Sequence, residues 1–498
     1  MAAVRVKHVE SDDALLSYGT ATELAEALQK RKISALELTD HVIARIEKLD
    51  GTLNAVVVRD FDRGREAAKT ADAALARGER RPLLGIPMVV KESFDVAGLP
   101  TTWGVPQFKD WIAPQDAVLV ARVKAAGAVI LGKTNVPLLL GDWESYNDIY
   151  GATKNPWDLK RTPGGSSGGS SAALAAGFGP LSLGSDIGGS LRTPAHYCGI
   201  CAHKPTLGLL PMGGHFVPGT VGRDNGLSVV GPMARSAADL SLTLEVTAGP
   251  DERREGIGYR LALPRPRHSA LKDFRVLVVD DHPLLPTAKT MRTAIERLAQ
   301  QLGKAGVKVA RASPLLPDPA ESGRLYMRLL MTALAVRWPA DLYAEALAAA
   351  KMLKPDDRSL KAERSRGAVS SYRDWAADDA ARVKLQQQWS ALFREWDAVI
   401  CPPMPTPAFI SDHVTPIPER NIDIDGKNYP YFDQMVWPGI ASAPGLPSTA
   451  IPIGLSDTGL PIGVQIVGPY LEDRTPLVFA ELFEREFGGF VPPPGYAA

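Results

Sequence analysis

The sequence has few cysteines, no surplus of either charge and no long apolar segment. Three cysteines in 498 residues cannot build a disulfide framework and are typical of a reducing compartment. Lys plus Arg and Asp plus Glu both number 56, so no basic excess favours nucleic acid or an anionic membrane. No run reaches about 18 apolar residues, and the acidic N-terminal segment lacks the apolar core of a signal peptide. We therefore expect a cytoplasmic protein with neither membrane nor nucleic-acid partners.

The pattern of apolar residues predicts an α/β fold. With 45% hydrophobic residues, a chain of this length can bury a large core. Short apolar runs, such as residues 86–90, 127–135 and 274–281, alternate with segments of helical periodicity. Such alternation favours a largely parallel or mixed sheet flanked by helices. Residues 320–396 carry no strand signal, and we interpret them as a helical, cap-like excursion within one domain of residues 1–498.

Several familiar motifs occur without the surroundings that they need. Residues 127–134 read G-x4-G-K-T, but the central Ala-Val-Ile-Leu favours a buried strand over a phosphate-binding loop. Residues 164–168 read G-x-S-x-G, yet residues 161–163 are a poor strand end, and the downstream histidines leave a triad undetermined. Cys198 and Cys201 have CxxC spacing without a second pair, so we interpret them as packing residues and predict no metal.

Three residues remain that could carry chemistry. Lys91 ends the apolar run 86–90, and burial of its amine would lower the pKa enough for it to act as a base near neutral pH. Ser166 lies within GGSSGG, where glycines permit unusual backbone geometry. Ser190 follows two glycines, whose uncovered amides could converge on one oxygen. A strand-end lysine that reaches solvent and two plain glycine turns are the alternative interpretation.

Taken together, "GGSSGGSSAALAAG" and "GSDIGGSLRTPA" resemble the signature of the amidase signature family, serine hydrolases with a Ser–cis-Ser–Lys triad. Further blocks, among them "LLGIPMVVKESFDVAGLPTTWG", "YGATKNPWD" and "PIGVQIVGP", extend the resemblance over roughly residues 20–485. Ser166 follows Lys91 by 75 residues and Ser190 follows Ser166 by 24, which agrees with the family's layout. The resemblance implies the amidase signature fold, with a large mixed central sheet and helices on both faces.

The resemblance also implies a role for each site residue. Ser190 would be the nucleophile that forms the acyl-enzyme, Ser166, on a cis peptide, would relay protons, and Lys91, uncharged at rest, would be the base. The oxyanion would be bound by the backbone N–H groups of Ile187, Gly188, Gly189 and Ser190. The turn that contains these amides would be supported by Asp186, Arg192 and Ser167. No metal or organic cofactor is implied.

The expected substrate is a small amide or carbamate, cleaved at its C–N bond by a monomer or homodimer. The chain is similar to bacterial aryl-acylamidase-like members and to metagenome-derived urethanases, and an esterase side activity is possible for such a triad. The predicted pocket residues, which could equally pack the core, are Leu140, Trp143, Tyr146, Trp338, Phe432 and Trp437.

Two other functions stay open at this point. One is a glutaminase-type subunit of a tRNA-dependent amidotransferase. In such subunits, the glycine–serine turn that carries the nucleophile usually resembles Asp-Thr-Gly-Gly-Ser and has a Gln downstream. At those two positions this chain has Ile187 instead of Thr and Thr193 instead of Gln. The other is a non-catalytic family member that acts as a binding subunit, since a fold does not by itself imply a function.

Overall fold

The centre of the fold is one large mixed sheet. A computed structural model describes residues 12–220, 222, 225–252 and 255–497. Within these residues, eleven strands form the sheet in the order β1-β3-β2-β6-β8-β7-β14-β15-β11-β9-β10, and four more form two small hairpins. The strands are β1 Val56–Arg59, β2 Pro87–Lys91, β3 Val129–Thr134, β4 Tyr146–Asn147, β5 Gly151–Ala152, β6 Leu181–Asp186, β7 Cys201–Lys204, β8 Val229–Ala234, β9 Arg275–Val278, β10 Lys308–Ala310, β11 Ala398–Cys401, β12 Asn421–Ile424, β13 Lys427–Pro430, β14 Ser448–Leu455 and β15 Pro461–Val467.

Helices flank this sheet, which confirms the predicted fold class. They are α1 Asp12–Tyr18, α2 Ala21–Gln29, α3 Ala35–Leu53, α4 Phe61–Ala76, α5 Val118–Ala125, α6 Gly168–Ala175, α7 Arg192–Cys198, α8 Ala237–Thr247, α9 Lys289–Lys304, α10 Pro319–Ala335, α11 Ala340–Lys351, α12 Leu360–Ala368, α13 Tyr372–Glu395, α14 Val436–Ser442 and α15 Arg474–Phe487. Helices α10 to α13 lie between β10 and β11, in the segment interpreted as a helical excursion. Its cap-like role, and the single domain, stay predictions.

Three parallel strands determine where chemistry can occur. β2 pairs with β3 on one side and with β6 on the other, and both pairings are parallel. All residues of these strands are buried, as expected for strands covered on both faces. Because the carboxyl ends of parallel strands meet at one edge, Lys91 at the end of β2 lies beside the chain that leaves β6 at Asp186. This edge brings together residues from distant parts of the sequence.

The structure also bears on the discarded motifs. Residues Val129–Thr134 form the fully buried strand β3, so the G-x4-G-K-T match lies on a strand and not on a phosphate loop. Cys198 and Cys201 are both buried, and burial raises the pKa of the Cys198 thiol to about 12. Across the described ranges, no helix is long and apolar enough to cross a membrane. The same residues contain no group of three His, Cys, Asp or Glu side chains that could hold a metal ion.

Candidate active site

Lys91 lies at the sheet edge with its amine completely buried. Its Nζ donates to Ser166 Oγ at 2.7 Å and to Ser185 Oγ at 2.9 Å. Burial lowers the pKa of Lys91 well below its usual value, and the negative charge of Asp186 opposes this shift only in part. An uncharged amine has a lone pair with which it can accept a proton. This placement would allow an uncharged Lys91 to act as a base toward Ser166, and that role stays a prediction.

Ser166 belongs to a corner in which the chain passes very close to a neighbouring segment. The peptide bond between Gly165 and Ser166 is cis, as the resemblance implies. A Cβ at Gly165 would lie 2.3 Å from the backbone oxygen of Asp142, so only glycine fits there. The next residue, Ser167, donates its backbone N–H to the Ser190 carbonyl at 3.2 Å. That bond joins the first glycine–serine corner to the second.

Ser190 stands in the turn between β6 and α7, with 6% of its surface exposed. Among the described residues, the hydrogen bonds include none between the Ser166 and Ser190 hydroxyls. Catalytic hydrogen bonds of this kind often tighten only when the substrate is bound. The structure therefore contains a contact between Lys91 and Ser166, and the relay through Ser166 to Ser190 stays a prediction.

The segment 187–190 is held by its carbonyl groups, each of which accepts a hydrogen bond. The donors are Tyr326 Oη to Ile187 at 2.6 Å, Trp143 Nε1 to Gly188 at 2.9 Å, Thr193 N to Gly189 at 2.7 Å and Ser167 N to Ser190 at 3.2 Å. The four amides predicted for the oxyanion hole differ in whether they are free. The Gly189 N–H is not free, because it donates to Asp186 Oδ1 at 2.8 Å. The N–H groups of Ile187, Gly188 and Ser190 have no acceptor within the described part of the chain.

A buried ion pair supports this turn. Arg192 binds both carboxylate oxygens of Asp186, through Nε at 3.0 Å and Nη2 at 2.9 Å. Burial by itself would raise the pKa of Asp186, but the contacts with Arg192, together with the Lys204 charge and the Gly189 N–H, hold that pKa below its usual value. The remaining donors of Arg192 bind Pro438 O, Gln465 Oε1 and Ser442 Oγ. All five N–H groups of this guanidinium are thus satisfied within the protein.

Removing Arg192 is expected to destabilise the fold strongly. In the Arg192→Met variant, the Asp186 carboxylate stays buried without its partner, which costs about 3–5 kcal/mol of unfolding free energy. Urea unfolding followed by circular dichroism measures the loss. Arg77→Met is the matched control, because Arg77 pairs with Glu79 on the surface, where ion pairs contribute little. Equal stability of the two variants would contradict the supporting role of Arg192.

The predicted pocket residues fall into two groups. Trp143 is almost fully buried beside the turn, and Trp437 is fully buried and packs against the His282 ring. The indole of Trp437 therefore belongs to the core. Partly exposed are Leu140, Tyr146, Phe432 and Trp338, of which Tyr146 stacks on His413 and Phe432 lies under the Arg364 guanidinium.

Several site residues escaped the sequence reasoning. Ser185, the second partner of Lys91, stands in the quoted block "GSDIGGS" directly before Asp186, so its position offered a signal. Gln465 stands in the quoted block "PIGVQIVGP", but its contact with Arg192, 273 residues away, could not be predicted from the sequence. Tyr326 offered no signal, because it contacts the turn from 139 residues away. A further buried network, in which Arg420 binds Asp142 and Glu144, fixes the segment that carries Trp143.

The chain is similar to known amidases in sequence and in fold. A family model described as "Amidase" matches residues 37–477. AmiB2 of Mycobacterium tuberculosis is 34% identical over 485 residues, with 94% of this chain and 96% of the relative covered. A glutamyl-tRNA(Gln) amidotransferase subunit of Anaeromyxobacter dehalogenans is 32% identical over 498 residues, with 95% and 97% covered. The solved structure of a bacterial aryl acylamidase of the amidase signature family is similar with a TM-score of 0.77 and 25% identity, with 95% of this chain and 97% of the other covered.

Proposed function

The chain belongs to the amidase family and is a carbon–nitrogen hydrolase of that family, and we propose that it cleaves small amides or carbamates of anilide or urethane type through a Ser190 acyl-enzyme. The observation that carries the proposal is the 2.7 Å hydrogen bond between Lys91 Nζ and Ser166 Oγ at a completely buried lysine. The similarity to a bacterial aryl acylamidase supports the aromatic leaving group. The acyl carbon and the nitrogen leaving group are common to anilides and aryl carbamates.

In the first half-reaction, Ser190 Oγ attacks the acyl carbon while its proton passes to Ser166. Ser166 in turn gives its own hydroxyl proton to the lone pair of Lys91, which becomes an ammonium ion. The carbonyl oxygen of the substrate takes up negative charge and accepts hydrogen bonds from the free amides of Ile187, Gly188 and Ser190. Lys91 thus stores the proton that the nucleophile has lost.

In the next step, the C–N bond breaks and the nitrogen leaves with a proton. Ser166 donates that proton and is reprotonated by Lys91, which returns to its uncharged state. A water molecule then attacks the acyl carbon of the Ser190 acyl-enzyme and passes a proton through Ser166 to Lys91. This proton returns through Ser166 to Ser190 Oγ as the bond between Oγ and the acyl carbon breaks, which releases the carboxylic acid of an amide or the carbonic acid monoester of a carbamate. A poor nitrogen leaving group needs this protonation, so a relay that works in both directions suits amides and carbamates.

The charges around the turn support a neutral substrate. Every N–H group of Arg192 is bound within the protein, so this guanidinium has no donor to offer a substrate carboxylate. The partly exposed Leu140, Tyr146 and Phe432 would contribute apolar and aromatic surface to the substrate pocket. We assign to these residues the recognition of an aromatic group, with Trp338, which lies between α10 and α11, as a further candidate.

The glutaminase-type subunit is the second candidate, because the amidotransferase relative is 32% identical over nearly the whole chain. In that case the substrate would be glutamine, and the ammonia would be used by partner subunits. The non-catalytic alternative leaves the triad unused. A cytoplasmic location and a monomeric or homodimeric state stay predictions.

A hydrolysis panel tests these functions against one another. The purified chain is incubated with an anilide, an N-aryl carbamate, a primary amide, an ester and glutamine, and Ser190→Ala serves as the blank. We expect the anilide or the carbamate to be cleaved faster than glutamine. Hydrolysis of glutamine alone would favour the glutaminase-type function. No hydrolysis, together with no labelling of Ser190 by a fluorophosphonate, would favour the non-catalytic binding role.

On the acid side of its pH profile, the activity is expected to rise as the pH increases. Protonated Lys91 cannot accept a proton, so kcat/KM should fall about tenfold for each pH unit below the pKa of Lys91 in the free enzyme. Burial lowers that pKa from its usual value, which keeps the lysine uncharged to a lower pH than a lysine in water. Initial rates between about pH 4 and pH 9.5 measure the profile. A profile that stays flat down to the acid end of this range would contradict the role of Lys91.

A further inference from the structure

The turn that follows β6 is fixed from behind by two side chains from distant parts of the fold. Trp143 donates its indole N–H to the Gly188 carbonyl, and Tyr326 donates its hydroxyl to the Ile187 carbonyl at 2.6 Å. Tyr326 belongs to α10, in the helical excursion. The two contacts differ in which amide they orient.

Peptide planarity connects each carbonyl to the following amide. The C=O of one residue and the N–H of the next lie in one plane and point in opposite directions. A donor bound to the Ile187 carbonyl therefore sets the direction of the Gly188 N–H, which has no acceptor among the described residues. The donor from Trp143 orients the Gly189 N–H instead, and that group is already bound to Asp186. Tyr326 is thus the side chain that aims a free amide.

Such an anchor is needed because Gly188 has no side chain to restrict its backbone. A peptide next to glycine can rotate at little cost unless hydrogen bonds fix it. Tyr326 is well suited to the task, since it is completely buried and its ring packs directly on Gly439. Burial also raises the pKa of the Tyr326 hydroxyl, so it stays protonated and remains a donor at any pH at which the enzyme works.

We propose that Tyr326 is a positioning residue for oxyanion stabilisation: its hydroxyl holds the Ile187–Gly188 peptide so that the Gly188 N–H faces the developing negative charge. The proposal rests on the proposed acyl-enzyme function and extends it to the helical excursion. It makes α10 a part of the catalytic scaffold, because a movement of this helix would change the direction of an oxyanion donor. Tyr326 would act through the Ile187 carbonyl to which its hydroxyl donates, which makes it a positioning residue and not a catalytic one.

The variant Tyr326→Phe tests the proposal, because it keeps the ring and removes only the hydroxyl. We expect kcat to fall roughly 10- to 100-fold, somewhat less than the roughly 10²- to 10³-fold that follows the loss of a direct oxyanion donor. KM should stay within about threefold. The affinity for an aryl boronic acid, which forms a tetrahedral anionic adduct with the serine, should weaken by about the same factor as kcat. The rate of Ser190 labelling by a fluorophosphonate should fall as well.

Tyr197→Phe is the matched control. Tyr197 is also completely buried, and its hydroxyl binds no carbonyl of residues 187–190. An unchanged kcat and boronic acid affinity in Tyr326→Phe would overturn the proposal, as would equal losses in the two variants. Failure of the proposed function has a different signature: wild-type protein that is neither active on the panel nor labelled at Ser190. That result would overturn the positioning role too.

Discussion

Replacement of Ser190 by alanine is expected to abolish hydrolysis of every substrate that the wild-type protein cleaves. The variant lacks the oxygen that attacks the acyl carbon, so no acyl-enzyme can form, and kcat/KM should fall on the order of 10⁴-fold or more. Initial rates with the best substrate of the hydrolysis panel measure the effect. Intact-mass spectrometry after treatment with a fluorophosphonate should show a covalent adduct on wild-type protein and none on the variant.

Ser170→Ala is the control for this experiment. Ser170 lies in the same glycine–serine stretch and is buried, but its hydroxyl contacts Thr134 and Ser182 instead of the lysine. Activity and labelling should persist in this variant. The assignment of the nucleophile would be wrong if Ser190→Ala kept a tenth of the wild-type hydrolysis rate while Ser170→Ala showed no hydrolysis.

Replacement of Lys91 by methionine should produce the second large loss. Methionine resembles the lysine stem in length and shape, so it should fill the buried site at the end of β2 without introducing a charge. The variant has no base to take the proton from Ser166, and kcat should fall on the order of 10³-fold. Rates are measured on the alkaline plateau of the wild-type pH profile, where the lysine is uncharged. The acid limb of the pH profile should be absent from any residual activity.

The neighbouring strand supplies a closely matched control. Lys133 on β3 is also completely buried, and burial lowers its pKa to about 8, but it donates to Thr101 Oγ1 at 2.8 Å and to no residue of the two serine corners. Lys133→Met therefore reports the general effect of removing a buried lysine. Similar activity losses in Lys91→Met and Lys133→Met would indicate a structural role for both. If Lys133→Met kept most of its activity and Lys91→Met did not, the result would support Lys91 as the base.

Much of this site could be predicted from the order of residue types. The apolar run before Lys91 predicted a buried strand that ends on the lysine, and the G-x4-G-K-T match was assigned to a strand because its central residues are Ala-Val-Ile-Leu. The glycines around Ser166 and Ser190 indicated two special corners, and the resemblance to a family joined them to Lys91. The strand predictions are confirmed because strand burial is a local property of the chain, whereas the assignment of the triad stays a prediction.

What the sequence by itself determined is the α/β class, the family and the three residues that carry the proposed chemistry. Only the tertiary structure decided which amides of the turn remain free, since Asp186 takes the Gly189 N–H, and which side chains hold the turn in place. It also assigned Trp437 to the core and Tyr326 to the back of the oxyanion turn. The physical reason is that hydrogen bonds and burial depend on partners from remote segments, whose approach no local pattern of residues encodes.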